Sequence, residues 1–220
     1  MNLVSSHIPA EWTVALWLAL AALFVLMWRR ANWTMLKSSA NLNIFLGASV
    51  ALLGLWLIKA GVRPGLNLHL LGATALTLMF RPWFALLALA LVIAGLTLHS
   101  GEFNAYPANV LLMAVLPVSV SWAIYRWVDR RLPNHMFIYI FLCCFFGAGL
   151  SMTAVGAGSS LFAATLGAYK WDYLLENYIP FYFLMAWAES FATGMIMTLL
   201  VVYKPEWVAT FDDSRYLLSK

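Results

Sequence analysis

The chain is 220 residues long, with 64% hydrophobic and 10% charged residues and a formal net charge of +4; its mean hydropathy is +0.83. A soluble domain carries about 25% charged residues, so this composition excludes a soluble globular protein and predicts an all-α, polytopic transmembrane helical bundle. The positive charge does not point to nucleic acid, because the basic residues fall in short segments between apolar runs, where they set orientation in a bilayer.

Residues 1–11 are polar to mixed and form an outer N-terminal segment with His7, Pro9 and Glu11. A first span follows over residues 12–28, with Arg29 and Arg30 directly after it. A signal peptide carries its charge before the apolar run, so this run is a retained helix with the N-terminus outside. Further spans are expected at residues 42–58, 66–80, 83–98, 108–125 and 179–203, with residues 204–220 as a cytoplasmic tail. Residues 12–203 make up a single transmembrane domain.

The uncharged stretch 136–169 would make a helix of about 51 Å, against a hydrocarbon core of roughly 30 Å. Its middle, GAGLSMTAVGAGSS (residues 147–160), is rich in small residues. The stretch is therefore one span plus a broken or re-entrant piece, or else two short spans. With one span, making seven in all, ten Lys and Arg face the cytoplasm and three face out; with two, the split is eight to five. The positive-inside rule favours seven spans, N-terminus outside and C-terminus cytoplasmic. The basic residues on the inner side then include Arg81, Lys220 and the Arg126, Arg130, Arg131 group.

This topology places His7, His69 and His99 on the outer side, with Asn67 and Glu102, and leaves only His135 inside. Imidazole is the usual ligand of zinc, copper, nickel and cobalt, so three outward histidines make a candidate metal site; interfacial histidines bonded to loops are the alternative. Glu189, near the middle of the last span, is an intramembrane carboxylate, which costs about 2.5–3.5 kcal/mol at a helix centre unless it is paired or faces a cavity. It either relays a cation or accepts hydrogen bonds within the bundle, and the second role is favoured. Cys143 and Cys144 are adjacent and apolar in context, so they read as packing residues. Ala15 and Ala19, and the small residues of 147–160, offer faces for close helix packing. No Walker A sequence, nucleophile elbow, HExxH or dinucleotide fingerprint is present, so an enzyme is not expected.

Three segments taken together resemble the CbiM/NikM-type substrate-binding membrane components of energy-coupling-factor (ECF) transporters for cobalt and nickel. His7-Ile8-Pro9 is similar to that family's amino-terminal Met-His-Ile-Pro. LHLLGATALTLMFRPW (residues 68–83) is similar to its second histidine motif, and HSGEFNAYPANVLLMAVLP (residues 99–117) to its Gly/His loop and Ala-Asn-Val. The resemblance covers roughly residues 7–126.

It implies a bacterial inner-membrane uptake component that takes a divalent transition metal (cobalt, nickel or zinc) as transported substrate, without an organic cofactor. A separate transmembrane coupling subunit and cytoplasmic ATPases would be its partners, alongside the lipid bilayer. His7 and His69 are the implied ligands; Asn109 and His99 would orient ligands or the inserted N-terminus, as Asn67 and Glu102 could from the same side. In the family the first histidine is the second residue, whereas MNLVSS precedes His7 here. Three readings therefore stay open: a processed or different start, a site made from His7, His69 and His99, or loss of metal binding. Two other functions remain as alternatives, an orphan component of the same fold and an ECF component for a small organic ligand.

Overall fold

The structure, a computed structural model, describes residues 3–216. Residues 1–2, at the start of the outer segment, and 217–220, with Lys220 of the charge count, lie outside the described residues. Six helices are long and apolar enough to cross a membrane: α1 (Ala10–Arg30), α2 (Ser39–Leu57), α3 (Ala73–Ser100), α4 (Phe103–Arg131), α5 (Met136–Thr165) and, after the short α6 (Trp171–Asn177), α7 (Ile179–Tyr203). Helix α1 starts after Pro9 with Glu11 in its first turn and ends on Arg29 and Arg30, each charge complementing the helix dipole.

The expected short span at 66–80 is instead three different things. Residues 60–63 and 66–68 pair as an antiparallel hairpin, β1 (Ala60–Arg63) and β2 (Leu66–Leu68), in the register Ala60↔Leu68 and Gly61↔Asn67. The loop carrying His69 follows. Helix α3 then begins, but it is interrupted at Arg81 (φ 62°, ψ 168°), so its first arm has only residues 73–80, about 12 Å of helix.

Contacts with α2 show that the two arms run in opposite directions. Phe45 touches both Phe80 and Phe84 (ring centroids 5.5 and 6.2 Å). Toward the other end of α2, Leu52 packs on Gly72 and Leu53 on Gly95, and Trp56 Nε1 donates to the Leu71 carbonyl at 3.1 Å. The first arm therefore carries the chain from the Trp56 end of α2 to the Phe45 end, and the second arm runs back. Arg81 sits before Pro82, which removes the helical region from its options, and it occupies a backbone region that only glycine adopts freely, at a cost of order 1–3 kcal/mol.

A helix that ends inside a bundle leaves backbone groups without intrahelical partners, and both ends of the first arm are supplied from far along the chain. At its start, Glu189 of α7 accepts the N–H groups of Leu71 and Gly72 at 2.8 and 2.7 Å. At its end, Ala209 N–H donates to Met79 O (3.0 Å) and Thr210 N–H to Leu78 O (3.2 Å), with Thr210 Oγ1 adding a 2.7 Å bond to Leu78 O. The tail is held in turn by Tyr139 Oη on Thr210 Oγ1 (2.7 Å) and by an Arg215–Asp129 ion pair (2.7 Å). Near the first turn of the arm, Thr74 Oγ1 joins Ser121 and Ser151 hydroxyls at 2.7 and 3.0 Å, tying α3 to α4 and α5.

The stretch 136–165 runs as one unbroken helix, so the broken or re-entrant piece expected at 147–160 is absent. Its 30 residues span about 45 Å, enough to cross the core and both headgroup layers, and Tyr139–Phe146 is wound as a π-helix. The small residues serve close approach instead. A Cβ on Gly149 would lie 2.5 Å from Ser190 Oγ, and one on Gly156 2.4 Å from the Tyr182 ring, which is what lets α5 lie against α7. Helix α3 forms the centre of the bundle, 72% buried over its most apolar window, whereas α1 is 17% buried and peripheral. Ala15 and Ala19 of α1 are exposed among the described residues.

Candidate metal site

The β-hairpin and the loop after it present His69 at one end of the bundle. The turn between its strands carries Pro64 and Gly65, the latter at φ 77°, and positive φ is a conformation glycine reaches without strain. His69 itself is buried (3% exposed). Its ring lies 4.4 Å from the Trp56 ring, and its Nδ1 is 3.0 Å from the Leu70 carbonyl. A carbonyl only accepts, so Nδ1 carries the proton in this contact and the lone pair falls on Nε2, the arrangement found when a histidine binds metal through Nε2. Burial pushes the imidazole pKa well below its usual value, so the ring is neutral at physiological pH.

The loop that carries His69 is fixed on both sides. Trp56 holds the Leu71 carbonyl and Glu189 holds the Leu71 and Gly72 amides. Glu189 is 1% exposed and also accepts from Thr193 Oγ1 at 3.4 Å. Its carboxylate therefore closes the start of the interrupted helix, the hydrogen-bonding role favoured from the sequence.

The N-terminal segment folds into the same end of the molecule. Asn109 is buried and grips Leu3 in both directions: Oδ1 accepts the Leu3 N–H at 2.8 Å and Nδ2 donates to the Leu3 carbonyl at 3.2 Å. Glu102 accepts the Ser5 N–H at 2.5 Å, and the bonds from Ser5 hold its carboxyl below the usual range, so it is ionised. A cavity of about 220 Å³ lies here, with Leu3, Asn67, His99, Glu102, Asn109 and Met113 among its lining.

Asn67, His99, Glu102 and Asn109 are thus brought together around one cavity. His69 and His7 do not line it. His7 is half-buried with its ring edge-on to Tyr169 (5.6 Å), and its Nδ1 is buried without a hydrogen-bond partner. His99 is exposed at the end of α3, and His135 caps α5 at the far end by accepting the Phe137 N–H. Among the described residues, no three His, Cys, Asp or Glu side chains are grouped closely enough to hold a metal ion. The three outward histidines therefore share an end of the bundle without forming a cluster.

Sequence reasoning missed two participants. Trp56 packs on His69 and holds the Leu71 carbonyl, and its spacing from His69 carries no motif. Leu3 occupies the Asn109 clamp through its backbone, which leaves no mark on its residue type.

The molecule is a membrane-spanning helical bundle with a buried imidazole and a clamped N-terminal segment toward one end, and its family is one of metal-transport components. The chain belongs to the CbiM family, described as the cobalt uptake substrate-specific transmembrane region, whose model matches residues 3–207. It is 31% identical over 122 residues to the "Probable fused nickel transport protein LarMN" of Lactiplantibacillus plantarum. That match covers 53% of this chain and 34% of the relative, so the shared region spans about a third of that longer protein. Two solved structures share the fold: a truncated transition metal transporter (TM-score 0.78, 16% identity, covering 92% of this chain and 99% of that one), and a transition metal transporter (TM-score 0.76, 17% identity, covering 92% and 93%).

Proposed function

We propose that this chain is the substrate-binding membrane component of an ECF-type uptake system for a divalent transition metal of the cobalt/nickel kind, in a bacterial inner membrane. The metal is captured at the outer end of the bundle, where the N-terminal segment is drawn in beside the His69 loop. His69 anchors it as a neutral nitrogen donor, and the N-terminal segment, which carries His7, supplies further donors. His99, Asn67, Glu102 and Asn109 act by positioning that segment. The observation that carries this reading is the pairing of a proton-directed imidazole at His69 with a dedicated clamp, Asn109 on Leu3. Neither feature is needed to pack a bundle.

ATP hydrolysis belongs to separate chains, reached through a transmembrane coupling subunit. The exposed Ala15/Ala19 face of peripheral α1 supports this, since small residues left uncovered in a membrane helix suit close packing by another helix.

The test is thermal stability of the detergent-purified protein against Ni, Co, Zn and Mn, with and without His69→Ala. A metal at 100 times its dissociation constant adds about 2.7 kcal/mol of stability. A shift with one metal that His69→Ala abolishes supports the reading. An unchanged melting curve with every metal would favour a component that keeps the fold without binding metal. That second reading is motivated by the clamp holding Leu3, four positions before His7.

A further inference from the structure

A cavity of about 810 Å³ lies at the end of the bundle opposite His69, between α1, α3 and α4. This is within the roughly 300–1,000 Å³ of sites that hold small organic ligands. Much of its lining is apolar and aromatic, including Phe80, Phe84 and Trp122. Three arginines are among its lining: Arg30 from the last turn of α1, Arg81 from the break in α3, and Arg126 near the end of α4. No carboxylate lines it. The ion pairs among the described residues lie elsewhere, Lys204 with Glu206 and Arg215 with Asp129.

Arg81 supplies a second, independent observation. It is the only non-glycine residue with positive φ among the described residues. Glycine would relieve that strain at the same turn, so the side chain has to serve some purpose the backbone does not. Its hydrogen bond to the Ala209 carbonyl, at 3.5 Å, is at the edge of useful length and does not account for it. The strained backbone places a third arginine at the wall of a cavity already lined by two.

We propose that this cavity binds the headgroup of an anionic phospholipid from the surrounding bilayer. The phosphate would sit among Arg30, Arg81 and Arg126, and the start of the acyl chains along Phe80, Phe84 and Trp122. Arginine is the residue suited to this: its planar fork binds phosphate oxygens in pairs, and it is weakly enough hydrated to work beside apolar walls. The combination of a basic centre and apolar wall fits an amphiphile better than a free anion, and basic pockets between transmembrane helices are where such headgroups bind.

The experiment compares full-length protein in a neutral detergent with phosphatidylglycerol, phosphatidylcholine of the same acyl chains, and inorganic phosphate, read by thermal stability and native mass spectrometry. Phosphatidylglycerol is expected to raise the melting temperature and to be retained as a bound lipid, and the other two are not. Arg126→Gln, at an exposed position, should keep the lipid-free melting temperature and weaken phosphatidylglycerol retention at least tenfold. Arg81→Gly separates strain from charge: it should melt at the same or a higher temperature without lipid, yet lose the phosphatidylglycerol shift. Equal stabilisation by phosphatidylcholine overturns the proposal, as does a full shift with inorganic phosphate, which would make this a free-anion site. So does retention undiminished in both variants. No shift with any of the three also overturns it, and leaves an acidic segment of a coupling subunit as the occupant.

Discussion

Glu189 and Leu71 are 118 positions apart and joined by a hydrogen bond of 2.8 Å, the Leu71 N–H donating to Oε2. With its companion bond from Gly72, this sets the loop two residues beyond His69. Glu189→Ala would leave two buried N–H groups without acceptors, at about 1–3 kcal/mol each. Glu189→Gln keeps one acceptor and turns an N–H₂ toward the other donor, so it should lose less. Thermal denaturation in detergent should rank the three proteins wild type, Gln, Ala. Metal-dependent stabilisation should weaken in the same order, because the loop that carries the imidazole is the part released.

Acid should destabilise the metal-free protein through His69. Its folded pKa lies below the ordinary value, near 6.5 in the unfolded chain. Between the two, the unfolded state binds more protons, so stability is full above about pH 6.5 and falls as pH drops toward the folded pKa, by up to about 1.4 kcal/mol per pH unit. Unfolding followed from pH 7.5 to pH 5 should show a shallower loss in His69→Gln than in the wild type. Parallel profiles would show that the ring is not buried neutral.

Asn109→Ala removes both bonds to Leu3. The cost to global stability should be modest, about 1 kcal/mol per bond, because the segment is terminal. The larger effect should be local: faster amide exchange at residues 3–8 and weaker metal-dependent stabilisation. Exchange unchanged at those residues would mean that Glu102 and packing alone hold the segment.

Gly156→Ala should be costly. The new Cβ would meet the Tyr182 ring at 2.4 Å, and the ring, 3% exposed, has nowhere to go. Overpacking of this kind costs about 1–3 kcal/mol. Gly149→Ala meets only the hydroxyl of Ser190 at 2.5 Å, which can rotate away, so its melting temperature should fall less.

The class of fold was legible because hydropathy reports burial in lipid directly, and the ends of α1, α2 and α7 fell close to the expected limits. Residues 66–80 run from one end of the bundle to the other, as a span would, but as a hairpin strand, a loop and a short helix, which composition does not distinguish from a single helix. The break expected at 147–160 was also judged by composition; the run is helical, and its glycines leave space in which Tyr182 and Ser190 pack. Glu189 was legible as a buried carboxylate, but its partners are main-chain amides, which have no letter in a sequence. The histidine positions gave their shared end of the bundle and nothing finer, since distances among them depend on the hairpin and the folded N-terminal segment.

The interrupted helix also imposes an order on biosynthesis. Residues 73–80 leave the ribosome long before Glu189, Ala209 and Thr210, yet those late residues complete the hydrogen bonding at both of the arm's ends. Until α7 and the tail are made, the nascent chain has a short apolar helix with open ends, and the neighbouring His69 loop has its Trp56 contacts without those of Glu189. A polypeptide stopped before residue 208 would therefore keep its spans and the Trp56 and Glu189 bonds to the His69 loop, while leaving the Leu78 and Met79 carbonyls at the far end of the arm open. In effect, the most deeply placed helix of the bundle is the last to be completed, by residues made more than a hundred positions after it.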